Sequence, residues 1–161
     1  MKRFIYSLLL LFSILSCSKS TDPTPATGTS YISMKINGVE WKSSVGAGAI
    51  SSGNFSATGA LEVTGGKDAV VLTLINSINV GTTYKLEETN DRFFQFLRSA
   101  AKVNYYIGKD SKGSSGTLTI TKTKVVGTLT YANATFSGTA NGSDGSKITI
   151  TEGVVVNAQV N

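Results

Sequence analysis

The sequence predicts an all-β protein, an antiparallel β-sandwich or flattened β-barrel of about eight to ten strands, with a calycin-like barrel among the alternatives. Three observations predict it. Asn37-Gly38 stands between two alternating runs, and Asn-Gly is the strongest short-range hairpin signal because a type I′ turn needs two positive φ values. Short stretches alternating apolar with polar residues recur along the chain, separated by Gly, Asn, Asp and Ser, as strands and turns of a sandwich or barrel do. The chain holds 17 Gly and only 2 Pro among abundant Thr, Val and Ile, which suit turns and a pleated surface. No βαβ rhythm of ~30 residues interrupts this pattern.

The first element stands apart. Lys2 and Arg3 precede an apolar stretch, Phe4 to Leu15, of 12 residues. At ~1.5 Å per helical residue this falls well short of a ~30 Å hydrocarbon core, so it reads as a signal-peptide h-region rather than a spanning helix. Ile14-Leu15-Ser16-Cys17 follows and resembles the lipobox of bacterial lipoproteins: aliphatic residues, a small residue before the cut, then Cys. The resemblance implies residues 1–16 as a lipoprotein signal peptide and Cys17 as the lipidation site, where the thiol takes diacylglycerol and the new amine a further fatty acyl chain. At ~0.8 kcal/mol per buried CH₂, two or three chains anchor far more firmly than one. Residues 17–30, rich in Ser and Thr, almost without apolar residues and holding Pro23 and Pro25, cannot bury enough surface to order themselves and read as a tether. Ser18 in place of Asp after the cysteine resembles the sorting pattern for the outer membrane.

Residues 31–161 then form one all-β domain. Ile32, Met34 and Ile36 alternate with Ser33 and Lys35 before the Asn37-Gly38 turn. A two-residue turn sets Ile36 opposite Val39, Lys35 opposite Glu40 and Met34 opposite Trp41. One face receives the apolar set and the other an opposite-charge pair. Further strands are expected at Phe55–Thr64, Ala69–Ile75, Thr83–Glu87, Thr117–Lys122, Gly127–Tyr131, Ala134–Ala140, Lys147–Thr151 and Val154–Val160. Asn90–Ile107 is ambiguous: Phe93, Leu97, Ala100 and Ala101 fall near helical spacing, whereas Phe94 and Phe96 alternate as in a strand. Two strands are favoured over a short helix.

The hairpin Lys35-Ile36-Asn37-Gly38-Val39-Glu40-Trp41 and the later segments Ser115–Thr121, Thr135–Ala140 and Ile148–Val154 together resemble an uncharacterised family of Bacteroidota lipoproteins. That resemblance implies a lipid-anchored domain of unknown function and brings no catalytic residues.

Composition excludes much chemistry. One Cys permits no internal disulfide, and with no His and Cys17 acylated, a zinc or copper site lacks its usual ligands. The same lack of His excludes the common nucleophile–His triads. The 15 basic residues less Lys2 and Arg3 leave 13 against 10 acidic. The lysines are scattered rather than clustered in a stripe, so no nucleic-acid partner is expected. Ser99-Ala-Ala-Lys102 matches S-x-x-K, but the accompanying S-D-N and K-T-G elements are missing. Glu87, Glu88 and Asp91 read as solvated loop charge, and Asn141–Ser146 has one carboxylate, too few for calcium.

What remains for recognition is the stretch Arg92, Phe93, Phe94, Phe96, Tyr105 and Tyr106, interleaved with Arg98 and Lys102. Aromatic rings and guanidinium groups suit a glycan or a protein partner, although core packing explains rings equally well. The expectation is a cell-envelope lipoprotein without enzymatic activity, cofactor or metal, joined to the membrane through lipid on Cys17 and acting as a binding or interaction module. The alternatives are a barrel carrying a small apolar ligand and an inhibitor or accessory subunit of another envelope protein. A carrier needs an apolar cavity of ~300 Å³ or more inside the barrel, and Phe55, Leu61, Leu72, Phe136 and Ile150 filling the centre would exclude it.

Overall fold

The computed structural model describes residues 30–43, 45–48, 54–75 and 79–160. The expected signal peptide, the expected lipidation site Cys17 and the expected tether up to residue 29 lie outside them. The described chain is all-β and antiparallel, with eleven strands: β1 (Tyr31–Ile36), β2 (Val39–Lys42), β3 (Val45–Gly48), β4 (Phe55–Val63), β5 (Gly66–Leu74), β6 (Thr83–Lys85), β7 (Arg92–Arg98), β8 (Val103–Ile107), β9 (Ser115–Val126), β10 (Leu129–Gly142) and β11 (Lys147–Val160).

The strands hydrogen-bond in the order β2-β1-β11-β10-β8-β7-β5-β4-β3, with β9 on β10 and β6 on β9. The two ends of that path, β2 and β3, are consecutive in the chain and only two residues apart. The sheet therefore curls back on itself into a nearly closed barrel. Ser43 makes the bend: its N–H donates to the Ile32 carbonyl at 2.8 Å and its Oγ accepts the Ile32 N–H at 2.7 Å. Gly59 permits the close approach, since a Cβ there would stand 2.9 Å from the Ser43 Cβ.

The β1–β2 hairpin forms in the expected register, with Ile36 opposite Val39, Lys35 opposite Glu40 and Met34 opposite Trp41. Asn37 and Gly38 take the positive φ values, 50° and 83°, that a type I′ turn requires. Two details differ from expectation. The Lys35 ammonium pairs with Glu152 across on β11, at 2.7 Å, rather than with Glu40; this contact, with the charge of Glu40 adding less, holds Lys35 above its ordinary pKa. Val39, at 71% exposure, is not covered by the core, because it sits at the open end of the barrel.

Asn90–Ile107 forms β7 and β8, so alternation prevails over helical spacing; the chain reverses at Ser99–Lys102, with Lys102 at φ 53°. Elsewhere the last three strands run longer than expected, whereas β6 stops at Lys85, two residues short of the expected Glu87. Gly127 lies in a turn (φ 63°) between β9 and β10, and the segments expected at Gly127–Tyr131 and Ala134–Ala140 belong to one strand, bulged between Asn133 and Ala134. Lys147–Thr151 and Val154–Val160 likewise join as β11, with Glu152 at φ 51°.

The interior is packed. Phe55, Leu72 and Ile150 are fully buried, Phe136 nearly so, and Leu61 packs against them. Phe94 meets Phe136 with ring centroids 5.9 Å apart. Among the described residues these side chains occupy the centre, where a carrier would need an apolar cavity.

Candidate functional site

Strand direction decides where open space can lie. The turns β1–β2, β4–β5, β7–β8 and β10–β11 gather at one end of the barrel, while Ser30 enters at the other. At the turn-bearing end, inward-facing side chains are no longer covered by a further layer. A cavity of about 300 Å³ opens there, lined by the β1–β2 hairpin (Ile36, Asn37, Val39, Glu40, Trp41), Asp68 of β5, Phe96 and Arg98 of β7, Tyr105 of β8 and Ile148 of β11. This volume lies at the lower bound of the ~300–1,000 Å³ typical of small-molecule sites.

Its floor is aromatic. Trp41 meets the edge of Phe96 at 5.6 Å, and Phe96 stacks on Tyr105 at 6.3 Å. All three are buried, which leaves little ring surface open to the cavity. Ser146 Oγ is hydrogen-bonded to the Tyr105 hydroxyl at 3.1 Å and to Asp144 Oδ1 at 2.6 Å, which ties the β10–β11 turn to the floor. The Ser146 hydroxyl first, then its backbone N–H, holds the Asp144 carboxyl below its ordinary value.

The charged groups are the unusual feature. Asp68 lies in phase with Val70, Leu72 and Leu74 on the inward face of β5 and is only 7% exposed. One carboxylate oxygen accepts the Ser99 N–H at 2.9 Å. Arg98 is in phase with Phe94 and Phe96 on β7 but exposed. The register that pairs Ala69 with Leu97 sets Asp68 opposite Arg98 one position further on. The ion pairs among the described residues join Lys35 to Glu152, Lys67 to Glu62 and Arg92 to Glu88, and include neither Asp68 nor Arg98. The buried indole N–H of Trp41 has no hydrogen-bond acceptor among the described residues.

The six residues singled out from sequence do not form one surface. Phe94, Phe96 and Tyr105 face the interior, and only Phe96 and Tyr105 reach the mouth. Phe93 and Tyr106 pair on the outer face at 6.0 Å, where burial, and next the charge of Asp110, raises the Tyr106 phenol above its ordinary pKa. Arg92 lies at the opposite end of β7, paired with Glu88 at 3.1 Å and 5.1 Å above the Tyr84 ring. Sequence reasoning missed Asp68 and Trp41. A carboxylate falling in phase with the apolar face of Asp68–Leu74 was the available signal.

Of the acidic cluster, Glu87 accepts the Gly116 N–H at 2.9 Å and Glu88 pairs with Arg92 at 3.1 Å, while the backbone carbonyl of Asp91 accepts the Ile75 N–H at 2.8 Å. Ser99 and Lys102 close the β7–β8 turn through a backbone hydrogen bond of 3.0 Å. Among the described residues no three His, Cys, Asp or Glu side chains are grouped to hold a metal ion.

Residues 28–159 match the family described as Domain of unknown function (DUF6252), and the chain belongs to that family. No curated protein and no solved structure matches it.

Proposed function

We propose that this member of a family of unknown function is a lipid-anchored, non-enzymatic binding module of the bacterial cell envelope. Its anchor is Cys17 at the outer membrane, and its ligand site is the mouth of the barrel. The observation that carries the binding half is the pair of oppositely charged inward-register residues, Asp68 and Arg98, which line an open cavity and have no ionic partner among the described residues. The anchor rests on the apolar leader, on Ile14-Leu15-Ser16-Cys17 and on the resemblance to Bacteroidota lipoproteins.

The two halves fit together geometrically. β1 runs from the end where a tether would arrive towards the turn-bearing end, a rise of ~20 Å for six residues. The mouth thus lies at the end of the barrel remote from Ser30, where the tether does not obstruct access of small solutes or of a partner.

Two measurements test this reading. Cys17→Ala should abolish labelling of the protein by radioactive fatty acid, and persistent labelling refutes the anchor. The chain contains one Trp, and Trp41 lines the mouth, so its fluorescence reports occupancy. The full-length protein in detergent should show a saturable emission shift on titration with the dialysable fraction of an envelope extract. An unchanged spectrum across all fractions refutes binding at the mouth.

A further inference from the structure

We propose that the mouth of the barrel is a site for a small zwitterion with an apolar tail, the chemistry of a free aliphatic α-amino acid. Asp68 takes its ammonium and Arg98 its carboxylate. The proposal rests on the binding reading above and specifies what that site accepts.

Charge is the first argument. A carboxylate in a largely buried position is costly unless a cation or hydrogen bonds compensate it. Asp68 has the Ser99 N–H but no ion-pairing cation among the described residues. Arg98 stands opposite on the register yet is not within ion-pairing distance. Elsewhere the chain brings such groups together, as Lys67 and Glu62 at 2.6 Å show. A ligand carrying both charges a few bonds apart fills the gap between Asp68 and Arg98 and satisfies each. A ligand with only a negative charge meets Arg98 but is repelled by Asp68 and Glu40, and one with only a positive charge meets the two carboxylates but is repelled by Arg98 and leaves that guanidinium unpaired.

The remaining lining is the second argument. Ile36, Val39 and Ile148 offer aliphatic surface beside the charged pair, which suits a short branched hydrocarbon tail. The aromatic faces that a sugar ring would stack on are closed off, because Trp41, Phe96 and Tyr105 are buried against one another. A volume of about 300 Å³ is also of single-amino-acid rather than oligomer scale.

The test is a titration of the full-length protein in detergent, read by Trp41 emission and by ligand-observed NMR. Four probes are compared: L-leucine, leucinamide (ammonium only), N-acetyl-L-leucine (carboxylate only) and glucose. L-Leucine should bind saturably with Kd of about 1 mM or tighter, and the three other probes about tenfold more weakly or worse. Asp68→Asn, which keeps an acceptor for the Ser99 N–H, should weaken L-leucine by about tenfold without weakening N-acetyl-L-leucine. Arg98→Gln should weaken L-leucine comparably without weakening leucinamide. This crossed pattern separates recognition from a merely structural role, and thermal melts of both variants verify that they fold. Equal losses for every probe, or glucose binding as well as L-leucine, overturn the proposal. Silence towards L-leucine with a shift on the envelope extract overturns the zwitterion alone, and silence towards both overturns the binding reading as well.

Discussion

Replacing Gly138 by alanine should destabilise the barrel well beyond an ordinary surface substitution. β10 changes partners here: residues up to Thr139 pair with β9, whereas Asn141 and Gly142 pair with Tyr106 and Tyr105 of β8. A Cβ on Gly138 would lie 2.4 Å from the Ser115 carbonyl oxygen, 2.7 Å from the Gly116 Cα and 2.8 Å from the Ile107 Cδ1. Carbon and carbonyl oxygen sit in comfortable contact at about 3.3 Å, so β9 must retreat by about 0.9 Å. Two of the three obstacles are backbone, which cannot rotate aside as a side chain would. Overpacking costs ~1–3 kcal/mol in general, and a backbone obstacle places this site towards the upper half, about 2–3 kcal/mol. For a domain of this size, each kcal/mol lowers Tm by about 3–5 °C, giving a fall of about 6–15 °C. Thermal melts followed by circular dichroism measure it, with Ser137→Ala, an exposed neighbour, as a control expected to stay within about 0.5 kcal/mol of the parent. A Tm for Gly138→Ala within about 2 °C of the parent would refute the reasoning, because it would mean that the β9–β10 spacing yields freely.

Two further outcomes follow from the turns at the mouth. Gly38 has φ 83° with open space around its missing Cβ, so Gly38→Ala carries only the left-handed backbone penalty, about 1–2 kcal/mol; chemical denaturation measures it, and no loss would contradict the type I′ assignment. Asp144 has its folded-state carboxyl below the ordinary value of 3.8 through Ser146, so its stabilising contribution is present above that value and lost as pH falls through the lower folded one. Compared with Asp144→Asn by acid titration, the parent should keep a constant stability difference above about pH 5 and lose it progressively below; a difference independent of pH down to the acid transition contradicts this.

The fold was legible where local rules agree. Turn chemistry, register and apolar phase all coincide at Lys35–Trp41, and that hairpin formed as read. Parity also resolved Phe94 and Phe96 as strand residues, because a helix would have scattered them around its circumference. Strand ends were less legible. Bulges at Asn133–Ala134 and Phe136–Gly138 let β10 continue through positions that look like breaks, and non-glycine residues with positive φ, Glu152 and Asn157, do the same for β11. Lys35 chose Glu152 over Glu40 because β1 has a neighbour on each side, and the second neighbour lies 117 positions away.

The site was legible only in part, for a reason rooted in strand geometry. Successive side chains point to opposite faces, so a cluster of aromatic residues adjacent in sequence is divided rather than assembled: Phe93 and Tyr106 went outward, Phe94 and Tyr105 inward. What assembles a site in a packed barrel is the set of inward positions beyond the last covered layer, drawn one or two from each strand. Read this way, the informative residues are those whose chemistry conflicts with their phase. Asp68 shares parity with Val70 and Leu72, and Arg98 with Phe94 and Phe96, and antiparallel pairing of β5 with β7 turns two separate anomalies into one facing pair. A core that only needed filling would carry apolar residues at both positions. That two adjacent strands carry opposite charges there, at the end of the barrel remote from Ser30, is why the mouth rather than the aromatic stretch is the place to look for the ligand.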